Sequence, residues 1–264
     1  MQSGKIGKGR IMMNELETKD KNRRLAEEQK FGKQPLIYWL KTNHHPIARF
    51  VRWLKNFQRD FELPGLGIFG KVLYFFHKWV TTFFSEVMRI FYYTPIFKSQ
   101  LLSNSKGLYL YGGIPTIVGS LKMNFGNNIE LAARTTLSGR TASSSTPLLR
   151  VDDGAVIGWH CRISVGTKIH IGERTYLASG CHLIGHAGHP IEPKDRYNRK
   201  PDTDEQCGDI ILGKNVWLGT GVTVMPGVTI GENTVIGAKS VVTRSLPANV
   251  LAAGVPAKVV RSIV

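Results

Sequence analysis

Residues 212–241 read Leu212-Gly-Lys-Asn-Val-Trp, Leu218-Gly-Thr-Gly-Val-Thr, Val224-Met-Pro-Gly-Val-Thr, Ile230-Gly-Glu-Asn-Thr-Val and Ile236-Gly-Ala-Lys-Ser-Val, and Val242 opens the next unit. An aliphatic residue returns every six positions, followed by Gly in four of the five units. A period of six is neither the helical 3.6 nor the strand period of 2. It is the mark of a parallel β-helix. The reading is the left-handed form, with three hexapeptides per coil of a triangular prism and each aliphatic residue pointing into the axis. Gly beside it suits a tight corner that a Cβ would crowd. One coil buries three aliphatic side chains worth about 1.5–3 kcal/mol each. Ordering its backbone costs roughly 1–2 kcal/mol per residue, so coils must stack and share one core. A left-handed coil departs from the right-handed crossover rule; the regularity of the repeat justifies the exception.

Working upstream, Leu131 and Leu137 are six apart, and Val151, Ile157, Ile163 and Ile169 continue the series after a Ser/Thr-rich interruption at 138–147. A two-residue slip at His170 precedes Ile171, Leu177 and Leu183. The repeat then stops. Residues 189–209 are polar and carry Pro190, Lys194, Asp195, Arg196, Arg199, Lys200, Pro201 and Asp202, a composition that predicts a loop leaving the prism. The repeat restarts at Ile210–Leu212. The prism is therefore expected over 106–264, with an extended loop at 189–209.

The front of the chain differs. Lys and Arg number 35 against 19 Asp and Glu overall, and residues 1–105 hold 18 of the cations against 8 of the anions. A basic region calls for an anionic partner without choosing between membrane and nucleic acid. Residues 1–34 are polar and basic, predicted flexible, with no apolar core of a secretory signal. Residues 35–105 form an amphipathic helical region. Trp39, Phe50, Trp53, Leu54 and Phe57 interleave with Arg49, Arg52, Lys55 and Arg59, and then Val72, Phe75, Phe76, Trp79 and Phe83 recur at three and four. That spacing gives one broad apolar face. Charges interrupt every span long enough to cross a bilayer; a basic amphipathic helix with aromatic residues suits the membrane interface. The competing reading packs this face on protein. Aromatic residues among cations also suit single-stranded nucleic acid, but helical periodicity argues for a continuous apolar face, so no nucleic acid is expected. Cys161, Cys181 and Cys207 match no disulfide or zinc-finger spacing, which favours a reducing compartment.

The fold class is thus mainly β, a left-handed parallel β-helix preceded by amphipathic α-helix. Residues 151–264 resemble the hexapeptide-repeat acyltransferases, and among them the sugar O-acetyltransferases related to maltose and galactoside acetyltransferase. The strings that carry the resemblance are Asn215-Val-Trp-Leu-Gly219, Pro226-Gly-Val-Thr-Ile-Gly231, Val235-Ile-Gly-Ala238, Val242-Thr243 and Ala253-Gly-Val-Pro-Ala-Lys-Val-Val-Arg261. The resemblance implies a CoA-dependent O-acetyltransferase, a homotrimer with acetyl-CoA between neighbouring prisms, and a sugar or glycan acceptor. It implies a catalytic histidine just before the extended loop: His189 in Gly-His-Pro, with His186 as the alternative. It places Trp217 at the acceptor or thioester channel, Thr220 and Ala238 on the pantetheine arm, and Thr243, Arg244, Lys258 and Arg261 at the adenine and phosphate end. Gly158 and Gly166 stand where galactoside-type enzymes carry polar acceptor-binding residues, which implies an acceptor other than a simple galactoside. Histidine suits the chemistry because a neutral imidazole can accept the hydroxyl proton near pH 7.

The joint expectation is acetylation of a surface polysaccharide or a lipid-linked glycan precursor by a cytoplasmic protein held peripherally at the inner face of an anionic membrane through residues 35–97. No metal ligand set is assigned. Two alternatives stand beside it. One is a zinc hydratase like the gamma-class carbonic anhydrases, using His182, His186 and His189; the other is a non-catalytic membrane scaffold.

Overall fold

The computed structural model describes residues 35–143 and 145–263; the flexible segment expected over 1–34 lies outside the described residues. The chain divides into two compact units between Val72 and Leu73.

The second unit is the predicted prism. Among the described residues, seven strands stack in parallel on its first face: Tyr109–Tyr111, Glu130–Ala132, Val156–Ile157, Tyr176–Leu177, Trp217–Leu218, Val235–Ile236 and Val250–Gly254. The strand Ala257–Ser262 closes that face antiparallel. The second face holds Thr116–Val118, Thr136–Gly139, Arg162–Val165, His182–Ile184, Thr223–Val224 and Val241–Val242. The third holds Lys122–Phe125, Leu148–Val151, Lys168–Ile171, Ile210–Leu212 and Thr229–Ile230. Successive strands lie on successive faces, so each ladder joins segments one coil apart. Leu212, Leu218, Val224, Ile230, Ile236 and Val242 are all fully buried, as the six-residue period requires.

Two details depart from the sequence reading. The slip at His170 is no break in the pattern. Ile169 and Ile171 are both buried on one strand, as are Leu149 with Val151 and Ile210 with Leu212. Third-face strands are long enough here for the strand period of 2 to turn two side chains inward. His170 points outward, with Nε2 2.7 Å from the Asp152 carboxylate. The repeat glycines, in turn, are needed for coil-to-coil contact rather than for the corner. A Cβ on Gly219 would stand 2.7 Å from the backbone nitrogen of Ala238 in the next coil. The left-handed corner position belongs instead to Asn215, Asn233 and Asn249, whose φ angles are 55–59°. Asn tolerates this region because its short amide bonds locally. Here Asn215 donates to Asn233 at 3.0 Å and Asn233 to Asn249 at 2.9 Å, forming a side-chain ladder up the prism.

The helical region runs through α1 (Pro35–Thr42), α2 (Pro46–Asp60) and α3 (Gly67–Met88), then a π-helical turn at Arg89–Tyr93 and α4 (Thr94–Lys98). Pro46 sits in the first turn of α2, where a missing N–H costs nothing, and His45 caps that helix through its Nδ1. Arg52 on the polar side of α2 donates to the carbonyls of Leu40 and Asn43 at 2.6 and 2.8 Å, tying α1 to α2. The last part of the region belongs to the prism unit. Phe97 is fully buried and packs edge-on against Phe125, with ring centroids 5.8 Å apart. Glu86 accepts from Tyr109 at 2.7 Å and pairs with Arg89, whose guanidinium lies 4.2 Å over the Tyr109 ring. α4 therefore closes the first coil, as terminal caps do in repeat folds.

Truncating one inward side chain tests whether the axis is a single core. Leu218→Ala should cost about 2–5 kcal/mol, read as a lowered midpoint in denaturant unfolding. A change within error would show that coils are held without the axis.

Candidate active site

Two segments leave the prism at the corner after the second face. The first is the Ser/Thr-rich stretch after Gly139, and the second begins at Gly185, two coils further along. The long loop departs a few residues earlier than its composition suggested. It is pinched at its base by an antiparallel bridge between His186 and Cys207 and by the Gly208 N–H donating to the Gly185 carbonyl at 3.0 Å. Within it, α5 (Pro193–Tyr197) and a 3₁₀ turn at Asp204–Gln206 give local order. Thr203 and Gln206 close a reciprocal cap on that turn.

The two excursions are locked by one cation. Arg140 is buried. Its Nε donates to Asp202 Oδ1 at 2.8 Å, a second donor reaches the Asp202 carbonyl, and a third pairs with Asp204. Asp202, equally buried, turns its other oxygen to His186 Nδ1 at 2.9 Å and accepts the Gly188 N–H at 2.9 Å. Burial alone would raise the Asp202 pKa, but the Arg140 and His186 hydrogen bonds and the Gly188 N–H outweigh it and hold the carboxyl below its usual value. Asp204 and Asp202 together raise the Arg140 pKa further. A histidine held at Nδ1 by a carboxylate has its ring orientation and tautomer set, leaving Nε2 available.

His186 stands between two hollows. The larger, of about 760 Å³, is lined by both excursions, including Ser138, Arg140, His186, His189, Arg199 and Lys200. The smaller, of about 230 Å³, runs along the second face past Arg162, His182 and Ile184. His189 also lines the larger hollow, is exposed, and makes no side-chain hydrogen bond among the described residues. Its carbonyl accepts from Gln206 at 3.4 Å. His182 sits on the second face, and no group of three His, Cys, Asp or Glu side chains among the described residues is arranged to hold a metal ion.

The residues expected to bind the donor lie elsewhere on the same chain. Trp217, half exposed, pairs in register with Tyr176 and Val235 on the first face. Thr220 and Ala238 occupy the next corner on successive coils. Thr243 and Arg244 follow the last second-face strand, and Lys258 and Arg261 lie on the antiparallel edge strand. All seven are exposed or half exposed, and none lines the hollow that contains the two histidines. Sequence reasoning did not single out Arg140, or Asp202 as a histidine partner; nothing periodic connects two residues sixty-two apart.

The chain is similar to several known proteins. The family model for the bacterial transferase hexapeptide (six repeats) matches residues 209–244. Galactoside O-acetyltransferase of Escherichia coli is 36% identical over 140 residues, covering 53% of this chain and 57% of that protein. The putative lipopolysaccharide biosynthesis O-acetyl transferase WbbJ of Escherichia coli is 32% identical over 142 residues, 53% of this chain and 71% of WbbJ. The chain spans about half the length of the first curated relatives it matches. Among solved structures, a mutant of AntD, an N-acyltransferase from Bacillus cereus in complex with dTDP-4-amino-4,6-dideoxyglucose and Coenzyme A, shares the fold. Its TM-score is 0.51 at 20% identity, over 64% of this chain and 87% of that one.

The buried lock has an acid limit. Because the Asp202 pKa is depressed on folding, its stabilisation is fully present above the ordinary Asp value of about 3.9. It is lost as pH falls through the lower folded value. Cleavage of the 185–209 loop by pepsin should therefore rise steeply below pH ~4 in the wild type. Asp202→Asn should show an open loop already at pH 6 by hydrogen exchange. Arg140→Met, which strands a buried carboxylate, should cost on the order of 3–5 kcal/mol.

Proposed function

The chain belongs to the hexapeptide-repeat acyltransferase family, and from that premise we propose that it transfers an acetyl group from acetyl-CoA to a hydroxyl of a sugar or glycan. The observation that carries the reading is the His186–Asp202 pair opening onto the large hollow. A sugar hydroxyl enters that hollow and gives its proton to His186 Nε2 as its oxygen attacks the thioester carbon. The C–O bond forms, the tetrahedral intermediate collapses, and the C–S bond breaks. The imidazolium returns the proton to the departing thiolate. Asp202 balances the transient positive charge, and Arg140 keeps Asp202 in place.

His189 is the second candidate for the base, favoured by its Gly-His-Pro motif and its place in the same hollow. The two histidines make separable predictions. His186→Ala should lower kcat by roughly 10²–10⁴-fold while acetyl-CoA still binds. Asp202→Asn, which frees the loop lining the hollow, should lower kcat by a smaller factor and raise the KM for the acceptor while acetyl-CoA still binds. If His189→Ala alone produces the large loss, the base is His189 and the Asp202 pair is structural.

The donor residues suggest how the enzyme assembles. Trp217, Thr220 and Ala238 do not line the histidine hollow of their own chain. A trimer that sets the first face of one prism beside the histidine corner of the next would bring the two sets together. Acetyl-CoA would then lie in the cleft between copies. The acceptor class follows from similarity to sugar-modifying relatives, and a surface polysaccharide or its lipid-linked precursor is the member proposed.

α2 supports membrane attachment. Ile47, Phe50, Trp53, Leu54 and Phe57 lie on one side and are all about half exposed or more, while Arg49, Arg52, Lys55 and Arg59 lie on the other. Trp53 stacks between Phe50 and Phe57 at 5.8 and 5.4 Å. No described helix is long and apolar enough to cross a membrane; an amphipathic helix of this composition lies in the interface of an anionic bilayer. Trp53→Glu with Phe57→Glu should abolish co-flotation with vesicles containing anionic lipid and leave acetyl-CoA binding intact. Flotation unchanged in the double variant would assign this face to protein packing.

A further inference from the structure

The large hollow carries more positive charge than acetyl transfer to a neutral sugar needs. Its floor is polar and uncharged: Ser138 and Ser164 face outward on adjacent coils, with their hydroxyls 3.2 Å apart. Its outer wall is the loop segment holding Arg196, Arg199 and Lys200. The buried cation at its back, Arg140, is fully spent on Asp202 and Asp204, and Asp202 is shared with His186 and the Gly188 N–H. The wall cations are differently placed. Arg196 donates to the carbonyls of Pro190 and Ile191 at 3.1 and 2.8 Å, and these neutral partners leave its charge uncompensated. Lys200 pairs with Asp195 at 2.8 Å in an exposed contact. Arg199 has no carboxylate partner among the described residues, and its backbone is held at φ 55°, a conformation that any non-glycine residue takes at some cost.

We propose that this hollow is an acceptor subsite for a sugar bearing an anionic group, a phosphate or a carboxylate, which Arg199, Arg196 and Lys200 receive while the hydroxyl to be acylated meets His186. The inference rests on the acyl-transfer reading and narrows its substrate class. Two further features support it. The volume of about 760 Å³ falls within the range of small-molecule sites. A guanidinium fork matches the two-oxygen edge of phosphate or carboxylate, which a neutral sugar lacks. A cation wall also draws an anionic substrate in by long-range attraction, an effect that salt weakens.

The test uses the full-length protein and three acceptors of one sugar: its 1-phosphate, its uronic acid, and its neutral methyl glycoside. Acetyl transfer is followed by thiol release, and binding of each acceptor without acetyl-CoA is followed by calorimetry. The expected result is a KM for at least one charged acceptor ten or more times below that of the neutral one, with the gap shrinking as salt rises. Arg199→Gln with Lys200→Gln, both exposed and distant from the core, should close most of that gap without raising the KM for acetyl-CoA. Which charged form is preferred decides between phosphate and carboxylate. Equal use of neutral and charged acceptors overturns the inference and leaves acyl transfer standing. A rise in the acetyl-CoA KM in the double variant overturns it as well, by assigning the cations to the phosphates of the donor. Charged acceptors that bind calorimetrically but are never acetylated would sink the acyl-transfer reading while sparing the subsite.

Discussion

Everything in the prism follows from coils that stack at hydrogen-bonding distance with no room between them. Where Gly219 faces Ala238, or Gly213 faces Glu232, even a methyl group would meet backbone atoms under 3 Å away. A chain held this closely cannot accept an extra residue along a face without breaking ladders on both sides. Insertions are confined to corners, and two long ones share the same corner. That coincidence makes the site, because loops leaving a rigid frame in one place can meet each other. Arg140 on one then reaches Asp202 on the other, and fixes the carboxylate that in turn orients His186 within its own loop. The lock is local, but its precision comes from the frame.

How much of this was legible depends on whether a residue takes part in the repeat. The axis was readable because each face needs one inward aliphatic residue, and Leu177, Leu183, Leu218 and Ile236 all fall on that schedule. The step at His170 looked like a fault because a hexad count has no term for a strand long enough to bury two residues. The glycines were assigned to the right positions for the wrong cause, since a one-dimensional pattern does not show the neighbouring coil. Asn215, Asn233 and Asn249 take left-handed corners and were readable only in retrospect, as an echo one coil apart at steps of 18 and then 16 residues. His189 stood out by its Gly-His-Pro motif, and His186 only as its neighbour three residues earlier. The Arg140–Asp202 contact did not, because a side-chain pair spanning loops of irregular sequence leaves no period to detect.

The helical front divides in character along its length. Its last turns are part of the prism: Phe97 is in the axis core, and Glu86, Arg89 and Tyr109 form a compact polar clasp at the first coil. Glu86 is held ionised by Arg89 and Tyr109, so the clasp is an ion pair reinforced by a phenol. Tyr111, one pleat further along, is pushed up to about 12 by burial and by Glu130, and stays a neutral donor. The earlier helices keep large apolar side chains in contact with solvent, at a density that a solitary water-exposed helix does not sustain.

The aromatic lid formed by Phe97 over Phe125 has a consequence for the size of the molecule. A stack of identical rungs has no intrinsic length, and an open rim offers unpaired donors and acceptors to any further rung, including one from a different chain. Sealing one rim with a bulky ring, and folding Ala257–Ser262 back on the opposite edge, turns an indefinitely extensible pattern into an object of fixed height. Duplication or loss of whole rungs in the middle would then change how tall the cylinder stands while both ends remain shut, which lets such a chain vary in length without becoming a fibre.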